Sequence, residues 1–541
     1  MRRKAKYFFR FISIAFAFCA VASLSSCRKS GTDKTIYYPV ASSPKTLDPQ
    51  FTNDVGAGVI INNVFEGLVR LSPEGEILPG VAESWSVSDD RMSYVFKIKK
   101  GCEWYCPVGI KKTHGDELYE KFSKATITAD DFVFACRRAV SDEILSPLHR
   151  RLFVIKNAPE IYDGTVSEEK LGVYADDKLT LRFVLSERCD DFLRRLSESE
   201  FMPCNEEFYE AMGGRYGLSS RHILCNGPFY VSSWDSETSL TAKANRYYRG
   251  EQTVLPRSVV FSFNNDLQAV ADKLGSGALS AAFLAPDIEA PKGVKIEKEL
   301  SSGVYGIAFN CSDSVISCAD LRRAICFAVD PGIFDGDGSG FVPSVCLVDG
   351  SQYHSAAAPM SKKIKYSQTK AQQYFNQALE ELDKARITVG ILCTEAEEEN
   401  LKKQAQEWQK LFGAEFSVKI ETLTEPEIEK RITADDFQLA FTSVTSGYSE
   451  AFDFLSSFDD GGIFNFDPQE YNRVIDSMKT EKIGSYMLPG CCLAENYILT
   501  EAIFYPLREK VCRLVTAGDV EGVYINGAES TVCFINARRF D

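Results

Sequence analysis

The sequence has little of what an enzyme or a metalloprotein needs. Its 541 residues include only four histidines, none at a metal-ligand spacing from a cysteine, and no CxxC pair occurs. GxSxG, HExxH and P-loop motifs are missing, and no GxGxxG follows a strand-like run. The stretch DGDGSGF from Asp335 begins like an EF-hand loop, but Cys346 stands where the closing glutamate belongs. We therefore expect no enzymatic activity, no cofactor and no bound metal.

Long apolar runs are also missing after the first 26 residues, and the run within them, FISIAFAFCAVASL, has only 14 residues. A membrane-spanning helix needs about 20. Because cations precede this run, it indicates a signal peptide over residues 1–26. Leu24-Ser25-Ser26-Cys27 resembles a bacterial lipobox, which implies cleavage before Cys27, acylation of that cysteine and anchoring at the periplasmic side of a membrane. The alternative is ordinary secretion with a chance cysteine.

The charge balance argues against nucleic acid as a partner. The whole chain carries a net charge of −15, and removing residues 1–26 takes away five cations and no anions, which leaves −20. A net charge this negative opposes binding to the phosphate backbone of nucleic acid. Net charge says nothing about a specific site.

Cysteines are more numerous than expected, with 17 in the chain. Without Cys19 of the leader and Cys27, fifteen remain, so at least one cannot pair within the chain. Cys102 and Cys106 in CEWYC are the nearest candidates for a disulfide, and buried unpaired thiols are the alternative.

A chain of this length needs two or more domains, and hydrophobicity patterns predict mixed α/β lobes. Ile36, Tyr38 and Val40 alternate as in a half-buried strand, and residues 229–245 predict a hairpin. Thr128 and Asp131 have the spacing of a helix capping box. Residues 385–423 predict a strand, a helix and a second, parallel strand.

Several motifs occur in the order and spacing of a known family. They are Leu47-Asp48-Pro49, Phe65-Glu66-Gly67-Leu68, Pro79-Gly80-Val81-Ala82-Glu83-Ser84-Trp85, TITADDFVFACRRAV, NGPFYVSSW, RYYRG, SSGVYGIAFNC with DLRRAICFAVD, and AIFYPLREKVCRLV. Over residues 36–541 the chain resembles the extracytoplasmic solute-binding proteins of the oligopeptide, dipeptide and nickel type, the receptors of ABC importers. One departure is the long stretch YCPVGIKKTHGDELYEKFSK between Trp104 and Ala125, where the family has a short turn.

The resemblance implies a bilobal α/β fold of the peptide-binding type, with hinge strands and an extra inserted domain. Domain I would comprise 27–65, 187–302 and 511–541, domain II 66–186, and domain III 303–510. A lipid-anchored monomer of this kind captures oligopeptides by hinge closure and delivers them to a permease and its ATPase.

The resemblance also implies the ligand contacts, which are Asn53, Val55, Tyr305, Tyr448, Ser449 and Glu450. The family's amine-pairing Asp is replaced by Gly447, and Phe441 stands where some members have a basic residue. Two alternatives to peptide capture therefore stay open. One is a modified or cell-wall peptide, metal chelate or other solute without a free α-amine, and the other is an adhesive or structural surface lipoprotein.

Overall fold

The computed structural model describes residues 35–52, 54–141, 146–186, 188–189, 192–250, 252–285, 288–336, 340–343, 364–445, 451–458, 461–480, 487–526 and 531–540. The α-helices are α1 (Val55–Val64), α2 (Ile110–His114), α3 (Asp116–Phe122), α4 (Ala129–Val140), α5 (Ala158–Tyr162), α6 (Phe192–Arg195), α7 (Glu206–Met212), α8 (Leu267–Gly275), α9 (Ala319–Phe327), α10 (Gln368–Glu381), α11 (Glu395–Phe412), α12 (Glu425–Thr433), α13 (Ala451–Ser456), α14 (Gln469–Thr480) and α15 (Met487–Thr500). Short 3₁₀ turns are His149–Leu152, Glu168–Lys170, Ser199–Phe201, Pro331–Phe334, Gly413–Glu415 and Gly462–Phe464.

The strands are β1 (Ile36–Val40), β2 (Val69–Leu71), β3 (Ile77–Pro79), β4 (Ala82–Val87), β5 (Ser93–Ile98), β6 (Val173–Asp177), β7 (Thr180–Val184), β8 (Phe229–Asp235), β9 (Ser239–Ala244), β10 (Ser258–Phe263), β11 (Ala281–Leu284), β12 (Lys295–Phe309), β13 (Ile387–Cys393), β14 (Phe416–Thr422), β15 (Leu439–Thr445), β16 (Phe504–Thr516), β17 (Val520–Glu521), β18 (Tyr524–Asn526), β19 (Thr531–Cys533) and β20 (Arg538–Arg539). They form sheets in the orders β1-β10-β9-β8, β4-β5-β7-β6 and β11-β16-β12-β15-β13-β14, with three two-stranded pairs.

The first lobe contains the two four-stranded sheets and one hydrophobic core, built from residues 36–284 together with 514–537. In β1 the residues Ile36, Tyr38 and Val40 are buried while Tyr37 is exposed, as alternation predicts. Helix α4 begins with the predicted capping box, in which Thr128 and Asp131 satisfy each other's backbone N–H groups. The hairpin of β8 and β9 is also confirmed.

The second lobe is built on the six-stranded sheet. Strand β13 pairs in parallel with both β14 and β15, and α11 connects β13 to β14, so the predicted parallel unit is confirmed. Its cores draw on residues 304–507, with Trp408 and Phe412 of α11 buried against the sheet. A connection of this kind leaves the carboxyl ends of three parallel strands at one edge.

Two long antiparallel strands, β12 and β16, connect the lobes. They pair from Lys295 opposite Thr516 to Ala308 opposite Phe504, with register irregularities on the way. Leu514 at one end belongs to the core of the first lobe, whereas Ile307 at the other belongs to the second. The molecule therefore has the bilobal α/β architecture with connecting strands that was expected. The exact domain boundaries stay a prediction.

Two local expectations differ from the structure. The helical spacing of Ile60, Ile61, Val64 and Leu68 in the sequence predicts a helix that reaches Leu68. In the structure α1 ends at Val64, because Phe65 takes up extended backbone angles. Cys102 and Cys106 are both free and buried rather than joined. Isolated bridges at Glu103 and Tyr105 hold this segment extended, and four extended residues span about 13 Å, too far for a disulfide. Among the described residues, no helix combines the length and apolar character needed to cross a bilayer.

Candidate functional site

A cavity lies at the carboxyl edge of the parallel strands in the second lobe. Its volume is about 940 Å³, within the range of small-molecule sites. Thr394 after β13, Thr422 at the end of β14 and Thr445 at the end of β15 all line it. In open α/β sheets, ligands bind at this edge because the helix N-termini and the loops meet there.

Aromatic rings and two cations form one part of the cavity lining. Tyr305 on β12 stacks with Phe441 on β15, with ring centroids 6.5 Å apart and planes 14° apart, and Phe334 stacks on Phe441 in turn at 5.3 Å. The Arg508 guanidinium lies 5.0 Å from the Tyr305 ring centroid, and the Lys510 ammonium 5.3 Å from it. Positive charge over a ring face is favourable because of the ring's quadrupole.

Hydrogen bonds fix these two cations. Arg508 donates to the buried carboxylate of Glu397 and to the backbone oxygen of Phe334 at 3.1 Å. Lys510 Nζ donates to Ser443 Oγ at 3.0 Å. Arg508 and Lys510 are two residues apart on β16 and therefore point to the same face of the sheet, with Glu509 on the other. This part of the site is preorganised by contacts from β12, β15, β16 and α11.

The other part of the lining is acidic. Helices α11 and α12 begin at the cavity, and Glu395, Glu425, Glu427 and Glu429 contribute to its wall. Carboxylates in a first helical turn are stabilised by the helix dipole. The Thr424 backbone N–H donates to Glu427 at 3.0 Å and, with the Thr424 hydroxyl, lowers the pKa of that carboxyl. The cavity therefore offers a cationic aromatic end and an acidic end.

Of the residues predicted as ligand contacts, Tyr305 lines the cavity. Val55 is the first residue of α1, after the N-cap Asp54, and 62% of it is exposed. The described cavity lining comes from residues 305–510 alone, so Val55 is not part of it. As contacts, both residues stay predictions.

The remaining predicted residues, Asn53, Tyr448, Ser449, Glu450 and Cys27, lie outside the described residues, as does Gly447. The described neighbours on both sides of the 446–450 stretch do line the cavity. These are Thr445 before it and Phe454 and Phe458 after it.

Sequence reasoning missed Arg508 and Lys510, although the alternation in LREKV was visible. A cation at every second position of a strand marks one polar face. The pattern does not reveal which residues that face meets, since Tyr305 comes from a distant strand.

Comparison with known proteins finds solute-binding proteins that resemble this chain in sequence and in fold. The model of bacterial extracellular solute-binding proteins, family 5 Middle, matches residues 76–466. The dipeptide-binding protein of Bacillus subtilis (strain 168) is 24% identical over 500 residues, covering 88% of this chain and 87% of its own length. A probable deoxycholate-binding periplasmic protein of Escherichia coli (strain K12) is 26% identical over 434 residues, covering 77% of this chain and 76% of that protein. The substrate-binding domain of an oligopeptide ABC transporter from Bacillus anthracis superposes with a TM-score of 0.71 at 21% identity, covering 95% of this chain and 100% of that one.

A bilobal α/β fold with a polar and aromatic cavity at a sheet's carboxyl edge is the architecture of a solute receptor. The chain belongs to the bacterial extracellular solute-binding proteins of family 5. Members of this family are transport receptors and not enzymes, which confirms the expectation drawn from the missing catalytic motifs.

Proposed function

We propose that the protein is the substrate-binding subunit of an ABC importer, captures oligopeptides by closure of its lobes and delivers them to a membrane permease. The observation that carries this proposal is the 940 Å³ cavity with Tyr305 at the carboxyl edge of the second lobe. The Bacillus subtilis relative is described as dipeptide-binding, and the Bacillus anthracis neighbour as part of an oligopeptide transporter. An extended peptide would lie as an added strand, with its backbone groups paired to the protein.

We also propose that the mature chain is a monomer, anchored through acyl chains on Cys27 at the periplasmic side of the membrane. The lipobox-like Leu24-Ser25-Ser26-Cys27 supports this. Several acyl chains give stable anchoring, whereas one gives only marginal binding. Tethering would keep the receptor near its permease. Incorporation of labelled palmitate into the wild type, and its loss in Cys27→Ser, tests the anchor.

Native mass spectrometry of the purified protein tests the solute class, since receptors of this kind often retain their ligand. The expected result is a heterogeneous set of peptide masses that disappears on unfolding. Restored peptide uptake in a receptor-deficient strain is the second expected result. An unoccupied protein that binds no member of a random pentapeptide library, and restores no uptake, would contradict the proposal.

A second candidate is a receptor for a modified or cell-wall peptide, a metal chelate or another solute without a free α-amine. Gly447 replaces the family's amine-pairing acid, and Arg508 and Lys510 place cations in the cavity. The Escherichia coli relative is described as a probable deoxycholate-binding protein. Deoxycholate is a steroid carboxylate, which supports a solute of this kind. A single retained non-peptide mass would favour this candidate. A third reading, an adhesive surface lipoprotein, would be favoured if no permease gene lies beside this one.

A further inference from the structure

A cluster of tyrosines and cations covers part of the first lobe away from the cavity. Tyr105 and Tyr230 stack with ring centroids 3.6 Å apart, and Tyr247 lies 6.3 Å from Tyr105. The Arg246 guanidinium lies 4.8 Å from the Tyr247 ring centroid and donates to its hydroxyl at 2.6 Å. We call this the tyrosine face, consisting of Tyr105, Lys111, Tyr119, Tyr230, Arg246 and Tyr247.

Half of the tyrosine face comes from the long stretch that departs from the family pattern. Tyr105 precedes α2, Lys111 lies on α2, and Tyr119 lies on α3. Lys111 Nζ is 4.5 Å from the Tyr119 ring centroid and 3.3 Å from an Asp116 oxygen. This long stretch therefore adds aromatic surface on which positive and negative charges nearly balance. None of its residues lines the cavity.

Surplus positive charge comes from the neighbouring segment 243–258. It contains four cations, Lys243, Arg246, Arg249 and Arg257, against the single acid Glu251, in a chain whose net charge is −15. All four cations are exposed. The four tyrosines of the face are half-buried, so each shows part of its ring and hydroxyl beside these exposed cations. Partly exposed tyrosines with Arg and Lys are the composition typical of surfaces that rest on lipid headgroups.

The tyrosine face also lies at the end of the sheet where the N-terminal segment enters. Thr35, the first described residue, has its hydroxyl 2.8 Å from that of Ser258. Ser258 is opposite Lys243, and Lys243 is opposite Tyr230. Strands β1 and β8 are three places apart in the sheet order β1-β10-β9-β8, or about 15 Å at ~4.8 Å per strand.

The length of chain before Thr35 sets the distance to a membrane. Residues 27–34 separate Cys27 from Thr35, and eight residues reach at most about 29 Å when fully extended. This step rests on the proposed acylation of Cys27. An anchored chain then has the tyrosine face within reach of the bilayer surface.

We propose that the tyrosine face binds the anionic surface of the membrane and so fixes the orientation of the first lobe. Tyrosine rings lie at the headgroup level, and Arg246 of the face, with Arg249 of the neighbouring segment, contacts lipid phosphates. Attraction of this kind depends on anionic lipid and weakens as salt rises.

A vesicle experiment tests the surface without the lipid anchor. The chain from residue 27 with Cys27→Ser, which keeps every described residue, is sedimented with vesicles of 30% phosphatidylglycerol in phosphatidylcholine. We expect binding that falls when salt rises from 0.1 to 0.5 M, and at least about tenfold weaker binding for Arg246→Gln/Arg249→Gln. The matched control Lys402→Gln/Lys403→Gln removes two exposed cations from α11 and is expected to stay within about twofold. Equal loss in both variants, or equal binding to pure phosphatidylcholine, overturns the proposal.

Photo-crosslinking of the full chain in its membrane identifies the occupant. A benzophenone amino acid at position 119 is expected to give adducts with the mass of one phospholipid, and the same group at exposed Tyr366 in the other lobe is not. A protein-sized adduct at position 119 overturns the lipid assignment. Failure of palmitate labelling contradicts the proposed anchor alone, because the vesicle result does not depend on it.

Discussion

Arg508 lies over the ring of Tyr305, with its guanidinium carbon 5.0 Å from the ring centroid. The two residues are directly opposite in the pairing of β16 with β12, at the point where these strands enter the second lobe. The pair joins a lobe-connecting strand to the wall of the cavity. If the lobes close as proposed, the movement would therefore act on residues that line the cavity.

Removing the Tyr305 ring is expected to weaken solute binding. Tyr305→Ala loses both the stacking surface and the support for Arg508 and Lys510, and an aromatic or cation–π contact of this kind corresponds to about a 2- to 30-fold change in affinity. Titration with a random pentapeptide mixture, or exchange of the co-purified solute, measures the effect. Tyr305→Phe keeps the ring and should retain most of the affinity. Tyr366→Ala, at an exposed tyrosine elsewhere, serves as control, and an equal loss there would remove Tyr305 from the site.

The Leu47-Asp48-Pro49 motif is expected to act on stability rather than on binding. Asp48 accepts two hydrogen bonds of 2.6 Å from Arg138, whose side chain is 2% exposed and packs on the Tyr209 ring at 4.4 Å. Breaking such a buried pair costs about 3–5 kcal/mol, so Asp48→Asn should lower the free energy of unfolding strongly. Urea denaturation measures it. Asp176→Asn breaks an exposed pair with Arg182 and should cost at most about 1 kcal/mol; similar costs would show that the Asp48 pair is not special.

Burial of Asp131 predicts a pH dependence of stability. Burial raises the pKa of its carboxyl to about 7, whereas an unfolded aspartate has a pKa of about 3.9. Because the folded pKa is the higher one, this group's contribution is complete below pH 4 and is lost as the pH rises towards 7. Between pH 5 and 8 the loss is on the order of 2 kcal/mol. Asp131→Asn should abolish this slope in urea denaturation, whereas Asp130→Asn, at the exposed neighbour, should keep it. A slope that survives Asp131→Asn would assign it to another group.

The buried thiols are expected to be unreactive in the folded protein. Burial raises the pKa of Cys102 to about 11 and that of Cys106 to about 12, which leaves almost no thiolate at neutral pH. Alkylation followed by peptide mapping should therefore label both only after unfolding, while half-buried Cys512 reacts sooner. A Cys102–Cys106 linked peptide in an unreduced digest, or a melting temperature lowered by reductant, would contradict this.

Elements with a local signal could be predicted from the sequence. The alternation of Ile36, Tyr38 and Val40, the Thr128–Asp131 capping box and the strand, helix, strand pattern at 385–423 depend on contacts within a few residues or on one amphipathic face. Their period or spacing is therefore written in the chain. The disulfide prediction was wrong because contacts between distant parts of the chain set the local backbone geometry. The bridges of Glu103 to Thr126 and Tyr105 to Cys225 keep Cys102 and Cys106 apart, and neither partner is a neighbour in sequence.

The sequence by itself determined the family, the bilobal α/β class and Tyr305 as a candidate contact, because motif order and hydrophobic periodicity are properties of the chain. Only the tertiary structure decided that Arg508 and Lys510 flank Tyr305, since the register of β12 against β16 is set by packing in two lobes. The same holds for Thr35 and Tyr230, which reach one end of a sheet through two intervening strands. Long-range strand pairing brings such residues together, and no local pattern encodes the partner of a strand.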